Sequence, residues 1–326
     1  MRVLVTGGAG FIGSHYARTL LAGGFAGFER ARVTVLDRLS YAGNPANLPL
    51  GHPRLDFVHG DVCDAELLRR LLPGHDAVVH FAAESHVDRS IDGGGAFVRT
   101  NVLGTQTLLE AARRAGAQPL VYVSTDEVYG SIAEGSWTED EPLAPNSPYS
   151  ASKAGGELLA RAYHRTHGLD VRITRCPNNY GPRQHVEKLI PHFVTRLLLG
   201  RTVPLYGDGS HVREWLHVAD HCRGVHLVLT AGRPGGVYNI GGATALSNRE
   251  MTDRLLRLCG AGWDRVRHVP DRRGHDQRYS VDDGRIRAEL GYAPREHLDT
   301  ALPEVVRWYR EHPEWWRPLA REEAIR

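Results

Sequence analysis

The chain has 326 residues, of which 41% are hydrophobic and 24% charged, with a formal net charge of +2. These values are typical of a globular protein with one large or two smaller domains. Basic residues are scattered among acidic ones, which excludes a nucleic-acid-binding stripe. No apolar run approaches the roughly 18 residues that a membrane-spanning helix needs.

The four cysteines show no spacing typical of metal ligands. We therefore expect free thiols in a reducing compartment, and no metal site. The first apolar strand begins directly after Met1, which leaves no room for a signal peptide. Together these features predict a cytoplasmic protein.

A glycine-rich turn follows the first predicted strand, at residues 2–6. Gly7, Gly10 and Gly13 stand between this strand and a helical run that ends near Leu21. Glycines at this point let the backbone approach a pyrophosphate, and the helix N-terminus offers N–H groups and the positive end of its dipole. The turn therefore predicts a dinucleotide site.

The second predicted strand, at residues 33–36, ends in Asp37. A carboxylate about 20 residues after the glycines hydrogen-bonds a ribose diol and repels a 2′-phosphate. This position predicts NAD as the cofactor, and the neighbouring Arg38 is the one feature that argues against it. Asp61, at the end of the third strand, suits an adenine amino group, and Ala82 and Ala83 leave space for a nicotinamide ribose.

Strands and helices alternate through the first half of the chain. Further strands are predicted at 55–58, 77–81, 120–123 and 171–174, and helices at 65–72, 96–115 and 149–166. This alternation predicts an α/β fold with a Rossmann-type doubly wound parallel sheet. We predict an NAD-binding domain at 1–182 and a smaller substrate-binding lobe at 183–326, partly interleaved with the core.

The second half of the chain has a different order of elements. Helices are predicted at 187–200, 220–230 and 248–259, a strand at 237–241, a polar loop at 271–276, and two final helices with a Trp-rich tail. Both 96–115 and 149–166 carry apolar residues on more than one face, among them Val98 and Leu158. We expect such helices to pack on a partner as well as on the sheet, so a homodimer is predicted.

Two stretches between residues 124 and 153 carry the candidate chemistry. Thr125, Asp126 and Glu127 follow the strand at 120–123, and open α/β sheets bind their ligands at the carboxyl ends of strands. A helix-start signal precedes Tyr149, so Tyr149 and Lys153 lie one turn apart on one face. A neighbouring cation favours phenolate, so we predict that Lys153 lowers the pKa of Tyr149 and makes it a general base.

Lysine is rare in this chain. Of 40 basic residues that are lysine or arginine, Lys153 and Lys188 are the two lysines. Arginine presents a wide fork and lysine a compact point charge, so the two are not interchangeable at a tight site. The retention of lysine at these two positions indicates that both have specific roles.

These motifs together resemble a known family. The glycines at 7–13 with Tyr149-x-x-x-Lys153 resemble the extended short-chain dehydrogenase/reductase superfamily, and Ser124-Thr125-Asp126-Glu127-Val128-Tyr129-Gly130 resembles its nucleotide-sugar 4,6-dehydratases. The segments 177–182, 187–191 and 272–276 are similar to those of the members that act on dTDP-glucose. Arg183 and Val186 depart from the family pattern, which usually has an aromatic residue and a proline there.

The resemblance implies a reaction in three stages. A hydro-lyase of this family oxidises C4 of dTDP-glucose, eliminates water across C5–C6 and returns the hydride to C6. The product is dTDP-4-keto-6-deoxyglucose, an intermediate of deoxysugar biosynthesis. Tyr149 takes the C4 hydroxyl proton, Glu127 the C5 proton, Asp126 protonates the leaving 6-hydroxyl, and Thr125 binds the C4 oxygen. Two neighbouring carboxyls with opposite duties need surroundings that separate their pKa values.

The resemblance also implies the binding residues. Those expected to bind NAD are Gly7, Gly10, Phe11, Ile12, Gly13, Asp37, Arg38, Leu39, Ser40, Asp61, Val62, Phe81, Ala82, Ala83, Ser85, Thr100, Tyr149, Lys153 and Asn179. Those expected to bind the nucleotide sugar are Ser85, Thr125, Asn178, Lys188, Leu189, Pro204, Tyr206, Arg213, Asn248, Arg272 and His275.

Three other functions share parts of this pattern. A nucleotide-sugar 4-epimerase has the same fold, cofactor and Tyr–Lys pair, but has no use for Asp126 and Glu127. A dehydratase of a CDP- or GDP-sugar would differ in base-reading residues within 180–210. A non-catalytic dinucleotide sensor could lose Tyr149 or Lys153, and both are present.

Overall fold

The computed structural model describes residues 1–242 and 244–324. Within these residues twelve strands are present. They are β1 Arg2–Thr6, β2 Arg32–Asp37, β3 Leu55–His59, β4 Ala77–His80, β5 Leu120–Val123, β6 Val171–Arg175, β7 Asn178–Tyr180, β8 Val203–Tyr206, β9 Val212–His217, β10 Val237–Asn239, β11 Thr244–Ser247 and β12 Val266–Val269.

Helices cover much of the remaining chain. They are α1 Phe11–Leu21, α2 Ala65–Leu71, α3 Val87–Asp92, α4 Gly95–Phe97, α5 Thr105–Ala115, α6 Pro148–His167, α7 Leu189–Leu198, α8 Val218–Ala231, α9 Asn248–Cys259, α10 Gly284–Leu290, α11 Leu298–Glu311 and α12 Pro313–Ala324. Short 3₁₀ turns lie at Pro45–Asn47, Asp126–Tyr129 and Trp263–Arg265. None of the described helices is both long and apolar enough to cross a membrane.

A seven-stranded parallel sheet forms the centre of the molecule, in the order β10-β6-β5-β4-β1-β2-β3. Its inner strands β1, β4 and β5 are short apolar runs buried on both faces, as parallel sheets covered by helices require. Separate apolar clusters fill the two sides of this sheet. The predicted α/β class and doubly wound sheet are confirmed.

The second half of the chain contributes to both parts of the molecule. Strand β10 pairs in parallel with β6, and α8 packs against α1, β5 and β6. Two small sheets, β11-β9-β7 and β12-β8, and a third apolar cluster around α7, α9 and α11 form the rest. The division of the chain at residue 182 remains a prediction.

Several predicted boundaries differ from the structure. The helix predicted at 96–115 is continuous but contains a π-helical turn at Val98–Gly104 between α4 and α5. The helix predicted at 187–200 begins at Leu189, because the backbone of Lys188 is extended. Helix α3 was not predicted, and the Trp-rich tail is itself a helix, α12, in which Trp316 is buried against the third cluster.

A fully buried ion pair joins α6 to the sheet. Glu157 on α6 and Arg175 at the end of β6 are both 0% exposed, and their side chains form two hydrogen bonds. Arg175 also hydrogen-bonds the Tyr129 hydroxyl, and Arg161 pairs with Glu157 at 3.2 Å. A buried charge is costly unless a counter-charge and hydrogen bonds compensate it. This ion pair therefore fixes the position of α6 on the sheet.

Removing one partner of this pair should destabilise the protein strongly. Glu157→Leu leaves the Arg175 guanidinium buried without a counter-charge, so the free energy of unfolding should fall by about 3–5 kcal/mol. The double variant Glu157→Leu/Arg175→Met should recover most of this loss. Urea unfolding curves measure both, with Glu66→Gln in the exposed Glu66–Arg69 pair as a control that changes stability by about 1 kcal/mol or less. A double variant as unstable as the single one would contradict this account.

Candidate active site

The carboxyl ends of β1, β2, β4 and β5 surround a cavity of about 300 Å³. Most of the residues predicted from the sequence line it together. These are Gly7, Gly10, Phe11, Ile12, Gly13, Asp37, Arg38, Ser40, Asp61, Val62, Phe81, Ala82, Ala83, Ser85, Thr100, Thr125, Asp126, Glu127, Tyr149, Lys153, Asn178, Asn179, Lys188 and Leu189.

The glycine turn between β1 and α1 leaves no room for side chains. A β-carbon on Gly7 would lie 2.6 Å from the Ala82 backbone, and one on Gly13 would lie 2.4 Å from the Gly7 carbonyl oxygen. The backbone of Gly7 is left-handed, with φ of 68°. Helix α1 starts at Phe11 without a side-chain cap, so its first N–H groups are free to face an anion. This cradle fits the pyrophosphate of a dinucleotide.

Asp37 lies at the carboxyl end of β2, where the ribose of a dinucleotide is expected. Its two oxygens accept hydrogen bonds from the N–H groups of Ala9 at 2.9 Å and Leu39 at 2.8 Å. Burial raises the pKa of Asp37, and these two N–H groups oppose that rise. The backbone hydrogen bonds hold the carboxylate in one orientation at the cavity wall.

Arg38 does not present a free positive charge to the cavity. Its guanidinium pairs with Glu84 and lies 3.5 Å from Asp61. A 2′-phosphate would compete with two carboxylates for this arginine. The structure therefore removes the one feature of the sequence that argued against NAD.

Helix α6 brings Tyr149 and Lys153 to the cavity. Its N-terminus is set by a capping box between Ser147 and Ser150. The Lys153 ammonium donates to the Val123 carbonyl oxygen at 2.6 Å, and burial lowers the pKa of Lys153 to about 8. Lys153 is therefore held against the end of β5, one helical turn from Tyr149.

Lys153 was predicted to lower the pKa of Tyr149, and this prediction is wrong for the protein without its cofactor. Burial, followed by the negative charge of Glu127, raises the pKa of Tyr149 well above its ordinary value, and a hydrogen bond with Thr125 opposes this. The Lys153 ammonium faces the Val123 carbonyl instead. Tyr149 is thus a protonated phenol in this arrangement.

Asp126 and Glu127 lie in a 3₁₀ turn whose N-terminus is capped by the Thr125 side chain. Burial, then the charges of Glu127 and Glu214, raise the pKa of Asp126 well above its ordinary value. Its Oδ2 is buried without a hydrogen-bond partner among the described residues, while Oδ1 accepts from Thr125 at 3.2 Å. Burial and the two neighbouring carboxylates therefore favour the protonated form of Asp126.

Glu127 has different surroundings. Burial raises its pKa as well, but the positive charges of Arg213, Lys188 and Arg272 oppose the rise. Three cations on the lobe side thus favour the ionised form of Glu127, whereas Asp126 has two carboxylates as its main charged neighbours. The pair is arranged as a neutral acid beside a potential base.

Part of the predicted substrate set lies across the opening of the cavity. Lys188 donates to the Ser85 carbonyl oxygen at 2.7 Å, and Arg272 Nε lies 2.6 Å from Asp88 Oδ1. The Arg272 guanidinium also lies over the Tyr206 ring, 5.4 Å from its centroid. Arg272 thus joins the loop at 271–276 to α3 and β8, and Lys188 contacts the loop before α3.

Other predicted substrate residues lie behind this group. Arg213 donates to the Asp276 carbonyl oxygen at 2.8 Å, and His275 stacks on His211 with ring centroids 3.7 Å apart. Seven predicted residues do not line the cavity itself: Leu39, Pro204, Tyr206, Arg213, Asn248, Arg272 and His275. Of these, Pro204 pairs with Arg267 in the β8–β12 sheet, and Asn248 lies next to His211.

His211, Asp271 and His275 are close enough to hold a metal ion, with candidate ligand atoms within 4.8 Å of one another. Both imidazoles instead contact the Asp271 carboxylate, at 3.2 Å from His211 and 2.7 Å from His275. A metal ion lies near the plane of each ligating ring, and two stacked rings do not share such a point. The prediction of no metal stays a prediction.

Fourteen residues that line the cavity were not among the predicted site residues: Leu36, Ala42, Gly43, Gly60, Glu84, Val123, Ser124, Cys176, Pro177, Gln184, His185, Glu187, Ile190 and Trp215. Glu187 directly precedes the predicted Lys188, so its position in the sequence could have indicated that it lies at the cavity. The pairing of Glu84 with Arg38 joins residues 46 positions apart, and no local pattern indicates it.

The glycine cradle, Asp37 and the Tyr149–Lys153 pair on one parallel sheet define a dinucleotide-dependent enzyme. A family model described as GDP-mannose 4,6 dehydratase matches residues 4–305. The dTDP-glucose 4,6-dehydratase of Streptomyces griseus is 62% identical over 97% of this chain and 96% of that protein, and that of Streptomyces niveus is 58% identical over 98% and 96%.

Solved structures agree with these relatives. DesIV, a dTDP-glucose 4,6-dehydratase from Streptomyces venezuelae with NAD and TYD bound, has a TM-score of 0.97 and 64% identity, covering 98% of this chain and 100% of that chain. A UDP-glucose 4-epimerase from Thermus thermophilus in complex with NAD has a TM-score of 0.87 and 34% identity, covering 95% and 99%. The chain belongs to the nucleotide-sugar 4,6-dehydratase family, as its sequence motifs predicted.

The glycine cradle generates a direct prediction. Gly13→Ala places a methyl group against the Gly7 carbonyl, so the turn must open and the protein should purify with little or no NAD. Gly95→Ala is the matched control, because a β-carbon at Gly95 meets no atom within 4 Å. Cofactor released from denatured protein measures both variants. Equal NAD content in the two variants would show that the turn does not hold the cofactor.

Proposed function

We propose that this protein is an NAD-dependent hydro-lyase that converts dTDP-glucose to dTDP-4-keto-6-deoxyglucose. The observation that carries this proposal is the Asp126–Glu127 pair beside Tyr149, with the pKa values of the two carboxyls separated by their surroundings. The sequence-based predictions of this reaction and of NAD are confirmed by the dehydratases to which the chain is similar.

Tyr149 and Thr125 act at C4 of the sugar. Thr125 hydrogen-bonds the C4 oxygen, and Tyr149 takes the hydroxyl proton of C4. NAD, when bound, supplies a positively charged ring at this face of the sheet and accepts and later returns the hydride. Lys153 holds a positive charge one turn from Tyr149 and keeps α6 against β5 through the Val123 carbonyl. The raised pKa of Tyr149 in the chain alone opposes this proton loss, so bound cofactor and substrate must favour it.

Glu127 and Asp126 carry out the elimination. A 4-keto group makes the C5 hydrogen acidic, and Glu127 removes it as a carboxylate, a form that Arg213, Lys188 and Arg272 favour against the effect of burial. Asp126 holds its proton through burial and donates it to the departing 6-hydroxyl. These acid and base roles require that one carboxyl is protonated and the other ionised. Repulsion between two ionised carboxylates favours this singly protonated form of the pair.

The cations around the opening suit the diphosphate of the substrate. Lys188 and Arg272 already lie across this opening, and Arg213 lies behind them. Guanidinium and ammonium groups are the usual protein partners of phosphate oxygens. The remaining residues of the predicted set, among them Asn248 and His275, belong to this nucleotide side of the lobe at 183–326.

A 4-epimerase is the nearest alternative, given the similar fold of the epimerase structures. Such an enzyme oxidises and reduces C4 and needs no acid and base for elimination. An epimerase would not use the difference in pKa between Asp126 and Glu127, so we favour the dehydratase.

Two variants separate oxidation from elimination. Tyr149→Phe should slow hydride transfer, so little reduced nicotinamide absorbance should appear in a single turnover. Glu127→Gln keeps the volume but loses the base, so elimination should slow by about 10²–10⁴-fold while oxidation persists. Reduced nicotinamide should then accumulate on the enzyme. Stopped-flow absorbance and exchange of C5 with solvent deuterium measure these steps.

Asp126→Asn is the third member of this series. It keeps a hydrogen bond but loses the proton donor, so C5 exchange should survive better than loss of the 6-hydroxyl. If Tyr149→Phe and Glu127→Gln are both blocked at hydride transfer, the assignment of the two roles is wrong. An epimerised product in place of the 4-keto sugar would overturn the dehydratase.

We also infer a homodimer built on α5 and α6, in a cytoplasmic enzyme. Exposed aliphatic side chains lie on α6 and on the segments that precede α5: Leu158 on α6, Val98 and Leu103 in the π-helical turn, and Ile91 on α3. Large aliphatic groups at neighbouring exposed positions indicate a covered surface. Helices α5 and α6 pack side by side on each subunit, and the same pair on a second subunit can complete a symmetric interface.

A charge on this surface should dissociate the dimer. Leu158 is 54% exposed, and Leu158→Asp places a carboxylate at the proposed interface in both subunits. The dimer dissociation constant should rise by about tenfold or more, since each lost apolar contact costs roughly 1.5–3 kcal/mol. Light scattering at micromolar concentration measures the mass. Leu50→Asp, at a residue 51% exposed elsewhere, is the control that should remain dimeric. A wild-type monomer would contradict the proposal.

A further inference from the structure

A second cavity, of about 380 Å³, lies beside helix α1. None of its lining residues also lines the candidate active site. Its walls come from α1, from the turn after β7, from the end of β9, and from α11 with the loop before it. The cavity is therefore separate from the site of the proposed dehydratase reaction.

Two arginines of this cavity have no acidic partner among the described residues. The Arg18 guanidinium donates to the Ser14 hydroxyl at 3.1 Å and to the Asn47 carbonyl at 2.7 Å, which are neutral acceptors. The Arg183 guanidinium lies over the Trp308 ring, 5.4 Å from its centroid. Its Nε is buried and lacks a hydrogen-bond partner within 1–242 and 244–324.

The positive charge of Arg183 acts on Arg18. Burial, then the charge of Arg183, lowers the pKa of Arg18 to about 10. Glu296 and Glu304 also line the cavity, but neither is among the charges that act on the pKa of Arg18 or Arg183. Like charges in a partly buried space repel unless an anion compensates them.

The backbone at Arg183 is also unusual. Its φ of 68° lies in the left-handed region, which favours glycine and costs free energy for an arginine. The next residue, Gln184, lines the active-site cavity and donates to the Asn179 carbonyl at 2.8 Å. A residue with a strained backbone and an unpartnered Nε thus lines the second cavity, while the next residue lines the active site.

We propose that Arg18 and Arg183 form a binding site for a phosphate-bearing small molecule. Two guanidinium groups match the double charge and the oxygen geometry of a phosphate. The cavity is larger than one phosphate needs, and Pro182, Ala301 and Val305 give it an apolar wall for an organic group. His15, whose pKa burial lowers to about 3, lines the same space as an uncharged hydrogen-bonding group.

Thermal unfolding of the holoenzyme tests this site. NAD and dTDP are kept saturating, so that the active site is filled, and inorganic phosphate is titrated against sodium chloride of equal ionic strength. The wild type should show a saturable rise in Tm of about 2–4 °C at tenfold excess over the dissociation constant. Sodium acetate, a monoanion, should give a smaller rise.

Arg183→Gly is the decisive variant, because it removes the guanidinium and suits the left-handed backbone. It should lose the phosphate-dependent rise while dehydration without phosphate is unchanged. Arg183→Lys keeps the charge but loses the fork, so its rise should be reduced. Arg70→Gln, at an exposed arginine elsewhere, should respond as the wild type does.

Three outcomes would overturn the proposal: a wild-type rise that chloride reproduces, an equal rise with acetate, or a full rise in Arg183→Gly. Should Arg183→Gly not fold, Arg18→Gln serves in its place, and a full phosphate response there also overturns the site. The experiment measures phosphate binding and not turnover. A negative result would therefore reject the phosphate site without affecting the proposed dehydratase reaction.

Discussion

The active site depends on the buried contact between Glu157 and Arg175. Tyr149, Lys153 and Glu157 follow one another at intervals of one helical turn on α6, so whatever holds Glu157 also holds the other two. Arg175 ends β6, beside the strand that leads to Thr125. This buried ion pair thus aligns α6, which carries Tyr149, with β5, which precedes Asp126 and Glu127.

Close backbone approach supports the same alignment. A β-carbon on Gly156 would lie 2.5 Å from both the Asn101 carbonyl oxygen and the Tyr122 hydroxyl, so α6 packs directly on its neighbours at this level. The Tyr122 hydroxyl donates to the Lys153 carbonyl at 2.9 Å. The small residue and the buried ion pair hold α6 rigidly under Tyr149 and Lys153. Acid–base catalysis requires such rigidity, because small displacements of the reacting groups lower the rate by large factors.

The acid–base pair needs both halves of the molecule. Asp126 and Glu127 are adjacent in sequence, yet their surroundings differ because Lys188, Arg213 and Arg272 come from the second half of the chain. Their positive charges reach Glu127 across the cavity. Two neighbouring carboxyls acquire opposite roles only where a second group of elements brings cations to one of them.

Local patterns in the sequence predicted much of the fold and most of the cavity lining. The glycine turn, the acidic end of β2 and the Tyr149–Lys153 spacing each depend on a few consecutive residues, and the backbone follows such patterns closely. The π-helical turn at Val98–Gly104 was missed because one extra residue per turn leaves no signature in an apolar pattern. Pro204 was placed at the substrate by resemblance, whereas the structure pairs it with Arg267.

The sequence by itself determined the alternation of strands and helices, the glycine cradle, and which residue types stand at the strand ends. These properties are local, since they follow from periodicity and from the backbone freedom of single residues. Tertiary structure decided the charges: that Arg38 is neutralised by Glu84, that Tyr149 holds its proton, and that Glu127 rather than Asp126 is favoured as the base. Protonation depends on burial and on charges distant along the chain, and only the folded protein brings these together.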